Sequence, residues 1–241
     1  MIALRAFLKS LAALCFPPRC LCCDTALAAP AALLFCPDCL DKIDFIKEPF
    51  CPCCGRAFPD AAGDNHLCGN CLTKPPHFTS ARAVAHYHPP LADAIHAFKY
   101  NGHTFGLASF AQLVQRLNPP LAATDIIIPV PLHPKRLRQR GFNQALLMAH
   151  AFFPHAQPKI KNDLLVRNQW TEPQTALSGI SRRRNLKGCF TVTDPAQIAG
   201  KSVLLIDDVF TTGSTANECA HTLKKAGAIT IYVLTLARVK E

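Results

Sequence analysis

No apolar run in this 241-residue chain reaches the roughly 18 residues that cross a bilayer as a helix. That excludes a helical membrane span. The stretch Met1–Phe16 is apolar, but Lys9 splits it, and no small-residue cleavage site precedes Pro17 and Pro18. It lacks the layout of a secretory signal and reads as an amphipathic helix of a cytoplasmic protein with no membrane insertion. Acidic side chains are scarce as well: 16 Asp and Glu against 26 Lys and Arg, a net charge of +10. The shortage is local. Residues 1–75 carry seven of each sign, whereas residues 76–241 carry nineteen basic and nine acidic side chains. A basic C-terminal part suits a polyanionic ligand such as phosphate, pyrophosphate or nucleic acid; a merely solvated basic surface is the plainer alternative. With 49% hydrophobic residues the chain has material for a packed core, in one large domain or two of modest size.

What the chain has in excess is cysteine. Eleven of its thirteen cysteines fall between Cys15 and Cys71. Eight of them form Cys-x-x-Cys pairs: Cys20/Cys23, Cys36/Cys39, Cys51/Cys54 and Cys68/Cys71, separated by 12, 11 and 13 residues. A reducing compartment disfavours disulfides, and two residues between cysteines let a tight turn aim both sulfurs at one ion. Eight thiolates make two tetrahedral zinc sites. Sequential pairing of the knuckles is the simplest scheme, and a crossed pairing also satisfies the count. Gly55 after Cys54 suits a knuckle turn, and Asp24 holds the same place after Cys23. Cys15, Cys22 and Cys53 are read as bystanders, His66 as a loop residue rather than a ligand. A closed four-thiolate site leaves no open position for water, so the zinc is structural.

Pro75 and Pro76 mark a boundary. Residues 1–75 are expected to form a double zinc ribbon with its N-terminal helix, and residues 76–241 a second domain. In the connecting region, 76–124, a short strand covers Ala81 to Tyr87. Helical spacing covers Leu91 to Lys99 and then Phe105 to Leu117. Lys99, Tyr100 and His103 could reach an anionic site or lie at a solvated helix end. From 125 onward strand, loop and helix alternate. Strands are expected at Asp125–Pro129, Leu164–Val166, Val203–Ile206 and Ile229–Leu236; helices at Asn143–Phe152 and Thr215–Lys225, the latter ended by Gly227. Strands apolar on both faces that alternate with helices imply an α/β fold with a mostly parallel sheet flanked by helices. Ligands of such sheets bind at the carboxyl ends of strands.

The run Val203-Leu-Leu-Ile-Asp-Asp-Val-Phe-Thr-Thr-Gly-Ser-Thr215 lies at such an end. Backbone amides of Thr211–Thr215 at a helix start, hydroxyls of Thr211, Thr212, Ser214 and Thr215, and the open backbone of Gly213 would cradle a phosphate monoester. Asp207 and Asp208, just upstream, would repel a phosphate but accept hydrogen bonds from vicinal ribose hydroxyls. A ribose 5-phosphate satisfies both halves. The absence of a Walker lysine disfavours a nucleoside triphosphate.

This run resembles the phosphoribosyl pyrophosphate (PRPP) motif of type I phosphoribosyltransferases. Pro129-Val-Pro-Leu-His-Pro-Lys-Arg-Leu-Arg-Gln-Arg-Gly-Phe-Asn-Gln144, and the stretch from Thr171 and Gln174 to Arg184 and Asn185, resemble the ComF family, associated with competence and DNA uptake. Members of that family also carry an N-terminal double zinc ribbon. The resemblance implies a type I phosphoribosyltransferase-like fold. It implies that Asp207 and Asp208 hold the ribose hydroxyls of PRPP and that Thr211, Thr212, Gly213, Ser214 and Thr215 hold its 5-phosphate. It makes Pro131–His133 the pyrophosphate loop, with Lys135 or Arg140 as cationic partners. Residues 168–185 become a mobile closing loop in which Arg182 and Arg184 are candidate pyrophosphate contacts. Mg²⁺ is expected to arrive with PRPP, held mainly by ligand oxygens and water.

Two readings of function follow. One is an enzyme that transfers a phosphoribosyl group to an unknown acceptor and releases pyrophosphate. The alternative is a non-catalytic PRPP-binding or nucleic-acid-handling protein of DNA uptake. Purine-salvage relatives often place an aspartate where this chain has Thr211, so their base chemistry has no counterpart here. Besides PRPP, the expected partners are single-stranded DNA or other nucleic acid and competence or DNA-uptake proteins. The Arg182–Arg184 run serves either DNA phosphates or the PRPP site. Trp170 is a stacking platform or a loop anchor, Phe142 a nucleotide stacker or a core residue. Cys189 and Cys219 read as buried small apolar side chains.

Overall fold

The computed structural model describes residues 17–28, 33–59, 63–101, 104–117, 124–170 and 186–240. Its centre is a four-stranded, all-parallel sheet of β1 (Ser80–His86), β2 (Ile126–Pro129), β5 (Ser202–Phe210) and β6 (Thr230–Arg238), in the order β1-β6-β5-β2. The apolar run of β5 explains its inner position. Val203, Leu204, Leu205 and Ile206 are all fully buried, and alternate residues enter opposite cores. Leu204 and Ile206 face a cluster built by α3 (Leu91–Asn101), α4 (Leu107–Gln115) and α6 (Gln144–Phe152), with Phe98, Phe110 and Phe152 at its heart. Val203 and Leu205 face Cys219 and Leu223 of α7 (Ser214–Lys225), together with a small antiparallel hairpin of β3 (Leu165–Arg167) and β4 (Phe190–Val192). A strand with apolar side chains on both faces needs cover on both, and the chain supplies it.

Among the described residues the expected elements are present, with three differences. β5 does not stop at Ile206 but runs to Phe210, so Asp207 and Asp208 lie within the paired strand, Asp207 opposite Thr235. The basic run after Pro131–His133 is helical, α5 (Pro134–Arg140): Pro134 stands at the first turn, His133 caps the start, and Gly141 at φ 83° ends it. β3 pairs with β4 rather than joining the main sheet. The N-terminal helix of residues 1–16, His103, Pro119 and Pro120, and the loop segment 171–185 with Arg182 and Arg184 lie outside the described residues.

The cysteine-rich part is two copies of one unit. In each, a first knuckle closes a short antiparallel bridge, Arg19 with Ala26 and Phe50 with Ala57. In each, a second knuckle opens a five-residue helix, α1 (Pro37–Asp41) and α2 (Gly69–Thr73), capped by Cys36 and Cys68. The residue after each first knuckle takes a left-handed conformation, Asp24 at φ 59° and Gly55 at φ 73°. The glycine is required in the second copy, because a Cβ there would sit 2.5 Å from the Ala81 carbonyl oxygen.

The ribbons do not stand apart from the sheet. Leu21, Phe35 and Ile43 belong to the same buried cluster as Phe98 and Phe110. The segment between the ribbons lies along the free edge of β1: Ile46 N–H donates to Val84 O at 3.0 Å, and His86 N–H to Asp44 O at 2.8 Å. His86 Nδ1 adds a 2.8 Å contact to Asp44 Oδ2. No helix among the described residues is long and apolar enough to cross a membrane.

Candidate functional site

Two thiol clusters are closed by the fold. The sulfurs of Cys20, Cys23, Cys36 and Cys39 lie within 4.8 Å of one another, as do those of Cys51, Cys54, Cys68 and Cys71. The pairing is therefore sequential. Four thiolates around zinc at about 2.3 Å stand about 3.8 Å apart; Cys23–Cys36 at 3.6 Å and Cys54–Cys68 at 3.7 Å agree with that spacing. Backbone amides support the sulfurs: Cys36 N–H points at Cys20 Sγ and Cys68 N–H at Cys51 Sγ. The donor sets thus fit two structural zinc ions. Cys22 and Cys53 take no part, and His66 stacks on Phe58 at 4.0 Å instead.

At the carboxyl edge of β5 the strand delivers both acids to one place. Burial, and next the neighbouring Asp208, push the Asp207 carboxyl up to about 7. The Asp207 Oδ1 accepts the Asp208 amide at 2.9 Å, which partly offsets the penalty. Lys99, near the end of α3, pairs with Asp208 at 3.0 Å. Arg167 of β3 also lowers the energy of the Asp207 carboxylate. The Lys99 helix end is therefore paired with the acid pair and not a solvated end, and the influence of Arg167 on Asp207 was missed by motif reasoning because a separate hairpin carries that residue.

The loop after β5 turns at Gly213, at φ 70°. A side chain there would meet the Phe210 ring at 2.5 Å. The glycine thus makes room for the protein's own Phe210 ring. Thr212 Oγ1 and Ser214 Oγ share a hydrogen bond at 2.7 Å, and the first bond of α7 runs from Asn217 N–H to Gly213 O. Amides ahead of that bond have no partner within the helix and crown its positive end. Thr211 is exposed, while Thr212 and Thr215 are half-buried.

Beside this loop, β2 leads through Val130 and Pro131–His133 into basic α5. His133 Nδ1 accepts the Lys135 amide, and Asn143 Nδ2 donates to Val130 O, holding α6 to the same strand end. Lys135 Nζ lies 4.8 Å from the Trp170 ring centroid, and His133 packs edge-on against the same ring. Trp170 is an anchor between these loops. Arg140 donates to Gln144 Oε1 at 2.9 Å and lies over Tyr100 at 5.1 Å, one residue from Lys99. Phe142 packs against Phe98 in the core, and Cys189 and Cys219 are fully buried.

Comparison with known proteins covers the ribbons and most of the chain. A family model described as a double zinc ribbon domain matches residues 11–72. The chain is 36% identical over 198 residues to DNA utilization protein YhgH of Escherichia coli O6:H1, covering 79% of this chain and 85% of that protein. It is 34% identical to Competence protein F of Haemophilus influenzae with the same two coverages, 79% and 85%. To Competence protein ComFC of Bacillus subtilis it is 26% identical, across 84% of this chain and 83% of the other. Among solved structures, a glutamine PRPP amidotransferase from B. subtilis complexed with ADP and GMP superposes with a TM-score of 0.38 at 15% identity, over 58% of this chain and 30% of that one. A likeness of that extent is too partial to carry an argument.

Proposed function

The chain belongs to the ComF family, and from that membership we propose that it binds PRPP at the carboxyl edge of β5 and passes the phosphoribosyl group to an acceptor during the handling of incoming DNA. One observation supports this reading above the others. The acid pair Asp207 and Asp208 lies near the carboxyl end of a parallel inner strand and is followed within six residues by the left-handed turn at Gly213 and the start of a twelve-residue helix. Hydroxyl acceptors and an anion-binding helix start therefore stand side by side, in the order a ribose 5-phosphate presents them.

In this reading Asp207 and Asp208 accept hydrogen bonds from the ribose hydroxyls. The amides and hydroxyls of Thr211, Thr212, Gly213, Ser214 and Thr215 hold the 5-phosphate. The pyrophosphate extends toward the Pro131–His133 loop, where α5 brings Lys135 and Arg140. Arg182 and Arg184 are proposed as further contacts on the closing loop. The neighbourhood balances the two carboxylates against Lys99 and Arg167, so a highly charged phosphate ligand needs a cation of its own. Magnesium bound with PRPP would neutralise pyrophosphate oxygens as charge builds on them. The bond from ribose C1 to the pyrophosphate oxygen breaks with its electron pair leaving on pyrophosphate, and an acceptor nucleophile forms the new bond to C1. Basic side chains around the leaving group stabilise that separation.

The test is calorimetry with PRPP and Mg²⁺. Binding is expected for the wild type and is lost in the Asp207→Asn, Asp208→Asn double variant, whose circular dichroism should remain native. Absence of any binding heat in the wild type defeats the reading. Pyrophosphate release is then assayed across candidate acceptors. Binding without release under every acceptor identifies a PRPP-binding protein without turnover.

A further inference from the structure

The two zinc sites are not equivalent in what they touch. The first ribbon packs on the helical core: Phe35 meets Phe110, and Leu34 N–H donates to Ser109 Oγ at 2.8 Å. The second ribbon reaches the phosphate-loop side of the sheet. Its knuckle is pinned to β1, with Ala81 N–H donating to Cys53 O at 2.7 Å and Arg82 Nη1 to Pro52 O at 2.9 Å. From the last residue of β6, Arg238 donates through Nη1 to Cys54 O at 2.6 Å. Arg238 is only 3% exposed, and its guanidinium lies over the Phe210 ring at 5.3 Å. That ring is held edge-on by Phe78 at 6.0 Å and occupies the space a side chain on Gly213 would need.

We propose that the second zinc site serves as a prop for the loop 211–214, with Arg238 as the positioning residue that transmits it. When the thiolates of Cys51, Cys54, Cys68 and Cys71 are drawn onto one ion, the Cys54 carbonyl is fixed in place. It holds the buried guanidinium over the Phe210 ring, and the ring sets the turn at Gly213 and so the direction of the amides behind it. A guanidinium is suited to this, since one planar group donates at its edge and stacks on its face. Among the described residues the first zinc site has no such connection, and it serves as an internal control. That the loop binds an anion rests on the function proposed above; that zinc holds the loop does not.

The test compares three variants of the full-length protein by hydrogen exchange of the amides of residues 211–216, with zinc content measured in parallel. Cys68→Ser with Cys71→Ser empties the second site, Cys36→Ser with Cys39→Ser empties the first, and Arg238→Met leaves both sites intact. Exchange in this loop should rise about tenfold or more in the second-site variant and in Arg238→Met, and stay near wild type in the first-site variant. If the second-site variant does not fold, Arg238→Met alone decides. Unchanged loop exchange in Arg238→Met with two zinc ions retained overturns the proposal, as does an equal rise on emptying either site. Calorimetry with PRPP and Mg²⁺ then reports separately: no binding to the wild type counts against the function and leaves the exchange result standing.

Discussion

Lys99 Nζ lies 3.0 Å from Asp208 Oδ2, with the two side chains only 17% and 14% exposed. The pair ties the end of α3 to β5 across the edge where ligand is proposed to bind. Removing one partner of a shielded pair leaves the other charge without compensation. Lys99→Met should therefore destabilise the fold by about 3 kcal/mol, the low end for a buried pair, and Asp208→Asn in the same chain should recover part of that. Urea denaturation of the two single variants and the double variant measures the coupling. Strictly additive effects would mean the pair contributes nothing.

Asp207 gives a pH dependence with a definite sign. Its carboxyl is raised from 3.8 to about 7 in the folded chain, so the folded state binds the proton more tightly than the unfolded state does. Stability from this group is complete below about pH 3.8 and is lost as pH rises toward 7. Asp207→Asn should raise the melting temperature at pH 8 and give no gain near pH 4. A gain of the same size at both pH values would show that the carboxyl titrates normally.

Sequential pairing of the knuckles makes a prediction in metal stoichiometry. Cys23→Ser with Cys36→Ser damages one site, and the chain should retain one zinc. Cys23→Ser with Cys54→Ser damages both, and the chain should retain none or bind zinc only weakly. Mass spectrometry under native conditions separates these outcomes, and the reverse pattern would establish crossed pairing.

Deletion of residues 1–75 should not yield a soluble folded domain. It removes Leu21, Phe35 and Ile43 from the shared core, about 5–9 kcal/mol of apolar burial, comparable with the whole stability of a typical domain. It also strips the backbone partners from the outer edge of β1. A monomeric product with native circular dichroism on gel filtration would show that the sheet stands alone.

Much of this was legible beforehand because the informative signals are local. Val203–Ile206 announces a buried strand by its composition, and the Cys-x-x-Cys spacing announces metal. Other features needed the fold. Continuation of β5 through Asp207 and Asp208 is invisible to hydrophobicity, since pairing with Thr235 and Ala237 of β6 carries the strand on. Partners of Lys99, Arg167 and Arg238 lie far away in sequence, and no periodicity encodes them. The start of α5 was readable in principle: Pro134 followed by good helix formers is an N-terminal signal, although the run Lys135–Arg140 has only one apolar residue, Leu137, and so no amphipathic period. The docking of the ribbons onto β1 left no sequence trace, because it is carried by backbone hydrogen bonds and by side-chain contacts between residues far apart in the chain, such as Arg82 with Pro52 and His86 with Asp44.

The strand order has a kinetic consequence. β6 follows every other strand in the chain, yet it sits between β1 and β5. Ser80 must wait for Tyr232 and Ala81 for Val233, closures so long that they come late in folding. Until then, among the described residues, the backbone partners of β1 from earlier in the chain are Asp44, Ile46 and Cys53. All three lie close by in sequence, in a part that metal can organise early. The ribbons thus give one edge of the first strand its backbone partners, and keep them, while the other edge waits for β6.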